Sequence, residues 1–555
     1  MRFLRFMITA VVLSSGCAPT SNQKTPAPRL VVFISIDQLR YDYLTKFSLH
    51  FGPDGFNYLL NRGANFAECH YGHATNETAV GHATMMSGTY PYRHGIIAND
   101  WYDRSLRRKV YGTEDTLAPI LGAKEYGKTD GRSPRKFSGT NLADQLKLHT
   151  GGQAKVFGVS NKDRSAILMA GKMADGVYWM DEKFGRIVTS AYYMNDYPEW
   201  MKTYQASKPL DKWKGAKWDM LLSPDEYPKS EKKFEQYYDV KAGIGGAFPH
   251  IIGSENDKKD KNYYEALMRS PFSSEALLEL MEELMIRENL GDDAVTDILC
   301  VSFSANDKIG HMFGPMSREV MDITVRTDRY LARLFKFLDK EVGLNNILFV
   351  LTSDHGVPPI PEIIASRQVE AYRLIPDTVR QIAETEMIKK FGRLAREQRY
   401  VEVIEEANLY FNDAALAEKK IDKNIAEQYI STFLKNNVKG IDRIYTSQQL
   451  SEGRIPNDAI SQAVFKNYYS GRTGDLFLVL DPYCIWSWNG KGTDHGEPQS
   501  YDNHVPMILA GVHWIKPGTY YQRCSPVDIA PTLAAILKIE QPNATDGRVL
   551  NEIIR

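Results

Sequence analysis

Short apolar runs rich in β-branched residues recur along this chain, each ended by a polar or acidic residue. They are separated by stretches with a 3.6-residue apolar period. Val31–Ile36, Lys155–Ser160, Asp297–Ser304, Ile347–Ser353 and Val505–Ala510 have the length and composition of fully buried strands. Gly55–Phe66, Thr78–Ser87, Asn141–His149, a segment from about Ser165, Ser274–Glu288, Ser317–Val342 and Val527–Lys538 read as helices. Strands alternating with helices predict an α/β fold, a mostly parallel central sheet sandwiched by helices. Two stretches break the alternation, at about 196–261 and 358–484. The first is rich in Trp, Tyr, Lys and Pro; the second mixes helix and strand patterns. Both separate the candidate ligand segments described below, so they are expected to be inserted caps over one catalytic domain spanning 30–555.

The N-terminus changes the picture of the first 29 residues. Arg2 and Arg5 flank the apolar stretch Phe6–Leu13, which runs into Ser14-Ser-Gly-Cys17. That is the shape of a secretory signal, too short to span a bilayer, with small residues before Cys17 as in a lipobox. Residues 1–22 are therefore expected to be a signal peptide with lipobox and 23–29 a tether. The chain would be exported, either to the periplasm or as an outer-membrane lipoprotein anchored through Cys17. Across all 555 residues, 68 basic and 69 acidic side chains leave a net charge of −1. No basic excess points to nucleic acid, and a phosphate site would have to be built locally. Cys69, Cys300, Cys484 and Cys524 form no CxxC pair, which speaks against thiolate metal chemistry, and their pairing is not readable from spacing.

Six residues at the ends of the apolar runs form one chemical set. Asp37 ends the first run, Asp354 and His355 end the fourth, Asp307 and His311 follow the third, and His495 sits in Gly492-Thr-Asp-His-Gly496. Ligands gather beyond the carboxyl ends of strands in open α/β sheets. Three carboxylates and three imidazoles there suit two Zn²⁺ ions. Between the first two strands lies Thr78, at the start of a short helix. Its hydroxyl would either cap that helix or, lowered in pKa by a metal, serve as a nucleophile among N–H groups that favour anions. The six ligands favour the nucleophile, with Thr78 itself a metal ligand. Lys162 and Arg164 stand two apart in a strand-to-helix loop, where extended backbone would aim both at a phosphoryl group. Asn99 is a further candidate amide donor to phosphate.

Taken together, Ser-Ile-Asp37-Gln-Leu-Arg, Thr-Asn-Glu-Thr78-Ala-Val-Gly-His-Ala-Thr, Asn99, Asn-Lys162-Asp-Arg164-Ser, Asn-Asp307-Lys-Ile-Gly-His311, Ser-Asp354-His355-Gly and Thr-Asp-His495-Gly resemble the alkaline phosphatase superfamily. The resemblance is nearest to its phosphate-irrepressible, threonine-nucleophile branch of the PafA type. It implies an exported phosphomonoesterase working through a phosphothreonine intermediate, with small-molecule phosphate monoesters as substrates. The chain is expected to be a monomer. One zinc would be held by Asp307, His311 and His495, and the other by Asp37, Asp354 and His355, with Lys162 doing the work of a third metal. A sulfatase-like site is excluded, because Thr78-Ala-Val-Gly-His82 has neither the Cys or Ser nor the Pro and Arg it needs. A nucleotide pyrophosphatase or phosphodiesterase of the same superfamily is the alternative. A catalytically dead surface lipoprotein that only binds a partner is the remote one.

Overall fold

The structure is a computed structural model that describes residues 26–122, 124–229, 232–253, 261–395 and 398–555. The expected signal peptide and Cys17 lie outside the described residues. Nine strands form the main sheet: β1 (Leu30–Ile36), β2 (Gly63–Phe66), β3 (Val156–Ser160), β4 (Gly176–Asp181), β5 (Arg186–Val188), β6 (Asp297–Phe303), β7 (Ile347–Thr352), β8 (Met507–Ala510) and β9 (Gly518–Tyr520). Their order is β9-β2-β8-β7-β1-β6-β3-β4-β5. The central five, β7-β1-β6-β3-β4, are mutually parallel. Antiparallel pairing appears toward the edges, at β7–β8, β8–β2 and β4–β5. The sheet is thus mostly parallel, as its strand pattern predicts.

Successive side chains of β1 enter different cores. Leu30, Val32, Ile34 and Ile36 pack on one face with the helices Phe272–Glu288 and Arg318–Glu341. Val31 and Phe33 pack on the other with Leu142–His149, Ile529–Leu537 and the methionines of helix α1 (Thr78–Ser87). A strand apolar on both faces must be covered on both, and this doubly covered sheet is the result.

The structure departs from the sequence reading in three places. The helix expected over Gly55–Phe66 stops at Arg62, and Gly63–Phe66 becomes strand β2. A Cβ at Gly63 would lie 2.7 Å from Leu509 O, so glycine permits the close pairing with β8. Pro26, Pro28 and Arg29, at the end of the expected tether, are bonded to the domain: Trp514 Nε1 donates to Pro26 O at 2.7 Å, and Arg29 N to Asn346 O at 2.9 Å. The two interruptions also differ from each other. Trp213, Trp218, Tyr227 and Tyr238 of the first are part of the main core. The second has its own antiparallel sheet (Val401–Glu405, Asn408–Phe411, Leu476–Leu480, Ile441–Thr446) and its own apolar cluster.

Candidate active site

The carboxyl ends of β1, β3, β6 and β7 converge on one point. Asp37 follows β1 directly. Asp307 and His311 lie one turn apart on helix α3 (Ala305–Phe313), which begins just after β6. Asp354 and His355 leave β7, and Lys162 caps helix α2 (Asp163–Ala170) after β3. His495 arrives from a distant loop. The six expected ligands are therefore brought together. Asp37, Asp354 and His355 place one ligand atom each within 4.8 Å of one another, and so do Asp307, His355 and His495. His311 Nε2 lies 3.1 Å from Asp307 Oδ1, and His495 Nε2 lies 3.6 Å from the same oxygen.

The imidazoles are oriented for metal by their second nitrogens. Nδ1 of His311, His355 and His495 sits 2.9, 2.9 and 2.8 Å from the carbonyls of Thr493, Gly356 and Asn76. A carbonyl only accepts, so each Nδ1 carries a proton and each Nε2 is turned inward, where a cation would displace any proton it shares with Asp307, the usual outer-sphere arrangement of metal-binding histidines. The carboxylates show the complementary need. Asp37 Oδ1 and Asp354 Oδ2 are buried without a hydrogen bond, and Asp37 Oδ2 meets the Lys162 ammonium at 2.7 Å. Burial, then the charges of Asp307 and Asp354, push the Asp37 carboxyl up to about 6. Clustered buried carboxylates, two of whose oxygens lack a hydrogen bond, and imidazole Nε2 atoms turned inward fit cations of the zinc type.

Thr78 is the first residue of α1, and Glu77, not Thr78, occupies the cap position. Its hydroxyl is thus free of capping and faces the cluster. Thr78 Oγ1 lies 3.2 Å from Lys162 Nζ, 3.5 Å from Arg164 Nη2 and 3.4 Å from His355 Nε2. Lys162 and Arg164 do not share one extended loop. Lys162 has extended backbone, whereas Arg164 is already in the first turn of α2, and the switch between them turns Asp163 aside. Asp163 instead pairs with Arg132 and accepts a 2.6 Å bond from Tyr111 OH, which accepts one at 2.9 Å from Arg164 Nη1. Lys162 Nζ is 2.7 Å from Asp37 and 2.6 Å from Asp307. Burial disfavours its charge, but these carboxylates outweigh it and raise its pKa. Asn99 Oδ1 accepts from Ala79 N at 2.9 Å. That contact satisfies the start of α1 and leaves the Asn99 Nδ2 group as the donor for a ligand.

Several participants carry no sequence signal. Gln38 has φ 63, a left-handed conformation uncommon for its residue type, and bridges the carboxylates. Its N–H donates to Asp354 Oδ1 at 3.1 Å and its Nε2 to Asp307 Oδ1 at 2.9 Å. His82 lies under Thr78, with Nδ1 2.7 Å from Thr78 O and 3.4 Å from Asp354 Oδ2. Glu77 is pushed up to about 7 by burial, against a hydrogen bond from Asn99 N. Asp502 accepts from Gly496 N and Glu497 N and so fixes the turn after His495. Beside the cluster is a cavity of about 360 Å³ whose walls include Lys162, Arg164, Asp307 and His311, with Lys241 and Arg373 from the two interruptions and Trp488 beyond them.

The family model described as type I phosphodiesterase / nucleotide pyrophosphatase matches residues 31–502. The chain is 30% identical to alkaline phosphatase PafA of Elizabethkingia meningoseptica, over 99% of both chains. It is 32% identical to a protein of Myroides odoratus named calcium-transporting ATPase, over the whole of both. It is 31% identical to alkaline phosphatase PhoV of Synechococcus elongatus, over 96% of this chain and 94% of that one. The crystal structure of wild-type PafA superposes with a TM-score of 0.88, covering 96% of this chain and 99% of that one. The chain belongs to the type I phosphodiesterase / nucleotide pyrophosphatase family, within the alkaline phosphatase superfamily.

Proposed function

We propose that this chain is an exported, metal-dependent phosphomonoesterase that carries the phosphoryl group on Thr78 before releasing it as inorganic phosphate. The relatives named alkaline phosphatase support the class, a phosphoric monoester hydrolase. The observation that carries the mechanism is Thr78 Oγ1, uncapped at a helix start and within 3.5 Å of Lys162, Arg164 and His355. Two zinc ions, held by Asp307, His311 and His495 and by Asp37, Asp354 and His355, would supply Lewis acidity that makes a hydroxyl nucleophilic near neutral pH.

The remaining steps belong to the chain. Lys162 stabilises the negative charge that grows on Oγ1 as its proton leaves. Arg164 and the Asn99 amide hold phosphoryl oxygens, the guanidinium by its fork. A bond forms from Oγ1 to phosphorus as the bond to the leaving oxygen breaks, and water then cleaves the phosphothreonine. Acid-quenching the enzyme during turnover of an aryl phosphate should yield a phosphopeptide containing phosphorylated Thr78. Thr78→Ala should fold and bind phosphate yet lose nearly all turnover. Near-normal turnover by Thr78→Ala would leave a water as the attacker.

The phosphodiesterase reading is favoured by the name of the family model, and the choice between the two turns on relative rates for the two ester classes. Export and lipidation of Cys17 rest on the N-terminal pattern. Among the described residues no helix is long and apolar enough to cross a membrane. Mass spectrometry of the mature N-terminus should find a lipid-bearing Cys17; an unmodified start downstream of it would mean secretion without an anchor.

A further inference from the structure

Cys69 and Cys524 are separated by 455 positions in sequence and face each other in space. They form an isolated parallel bridge in which Cys524 N donates to Glu68 O at 3.0 Å and Cys524 O accepts from His70 N at 3.0 Å. That pattern makes them direct partners across adjacent extended segments, with both side chains on the same side. Both side chains are buried in the same apolar cluster. Facing residues on neighbouring extended segments stand about 5 Å apart at Cα, inside the 4.4–6.8 Å span of natural disulfides. The other two cysteines lack this relation. Cys300 lies within β6, and Cys484 belongs to the separate core of the second interruption.

We infer that Cys69 and Cys524 form a structural disulfide in the exported protein, joining the segment that leads to Thr78 to the segment that enters the closing helix. The inference rests on the export proposed above, since such bonds persist in oxidising compartments. Formation breaks two S–H bonds and makes one S–S bond. Two electrons pass by thiol–disulfide exchange to the disulfide of an oxidoreductase or of oxidised glutathione, whose sulfurs leave as thiols with the two protons. Both thiols are buried, Cys69 at 0% and Cys524 at 5% exposure, so exchange belongs to folding and the finished bond is shielded from reductant. The tie acts at one place in particular. Tyr71, two residues beyond Cys69, donates to Ser353 O at 2.9 Å, next to Asp354. The bond therefore braces the approach to the nucleophile and to a ligand strand together.

Peptide mapping without reduction tests this on the full chain recovered from the periplasm of a bacterial host. Alkylation of the denatured, unreduced protein should label Cys300 and Cys484 and leave a Cys69–Cys524 cross-linked peptide pair. Reductant should lower Tm by a few degrees in the wild type and leave the Tm of a Cys69→Ala/Cys524→Ala variant unchanged. Export-competent protein in which all four thiols are alkylated overturns the inference. A chain that stays in the cytoplasm counts against export instead. In that case refolding in oxidised glutathione still decides the bond, because failure to form the pair there overturns it as well.

Discussion

Lys162 and Arg164 reach Thr78 with different support behind them, and their removal should differ accordingly. The Lys162 ammonium sits between Asp37 and Asp307, whereas Arg164 is held by Tyr111, which leans on Asp163 and Arg132. With zinc bound, the positive charge of the ions and of these two side chains exceeds that of Asp37, Asp307, Asp354 and a Thr78 alkoxide by two. A monoester dianion neutralises that excess and a diester monoanion does not. Pre-placed donors at a transferring group are worth on the order of 10²–10³ each. Lys162→Ala/Arg164→Ala should therefore cut monoester kcat/KM far more than diester kcat/KM. Equal losses for the two substrates would remove these residues from specificity. The candidates Asp37, Asp307, His311, Asp354 and His355 stood out because acidic and imidazole residues end or follow apolar runs, and Thr78 and His495 because they sit in polar segments between them. Gln38, Glu77 and Asp502 were not, because their importance lies in a backbone conformation or in burial that no local pattern encodes.

Helix α1 shows what periodicity can and cannot reveal. All ten of its residues, Thr78–Ser87, are buried, so no polar face marks its orientation. Its position is set instead by close approach. A Cβ on Gly81 would lie 2.3 Å from Asp354 O and 2.7 Å from Asp354 Cα, both backbone atoms that cannot swing away. Gly81→Ala should therefore push α1 off the β7 end, weakening zinc retention in chelator competition and lowering kcat. Unchanged zinc affinity in a folded Gly81→Ala protein would refute that coupling. Gly310 on α3 differs, because its added Cβ would fall 1.7 Å from Gln38 Oε1, the end of a side chain that can swing aside at the cost of its bond to Asp307. The parallel strands were legible as doubly buried runs, but β2 was absorbed into a helix pattern. β5 was missed because the three-residue Arg186–Val188 is too short to show a period, and β4 because Gly176-Val-Tyr-Trp-Met-Asp181, though as long as β7, has one β-branched residue.

At the scale of the whole molecule, the buried carboxylates couple metal to fold if the proposed zinc ions bind. The folded Asp37 carboxyl rises from 3.8 to about 6, with burial the largest cause. Between those values the metal-free fold keeps a proton that the unfolded chain releases, so its stability falls as pH rises through that window and then levels off. Zinc held as proposed would need the deprotonated carboxylate of the folded state, so the rise in Tm on adding zinc should be larger at pH 8 than at pH 5. A gain independent of pH would mean that Asp37 is not a ligand. Prolonged chelation should abolish turnover and added Zn²⁺ restore it, whereas full activity in protein free of metal by elemental analysis would rule out metal dependence. Monoester hydrolysis at a site built for a dianion is decided by kcat/KM for a phosphate monoester and a diester sharing one leaving group. The wild-type enzyme should favour the monoester by orders of magnitude, and a preference for the diester would make it a phosphodiesterase instead.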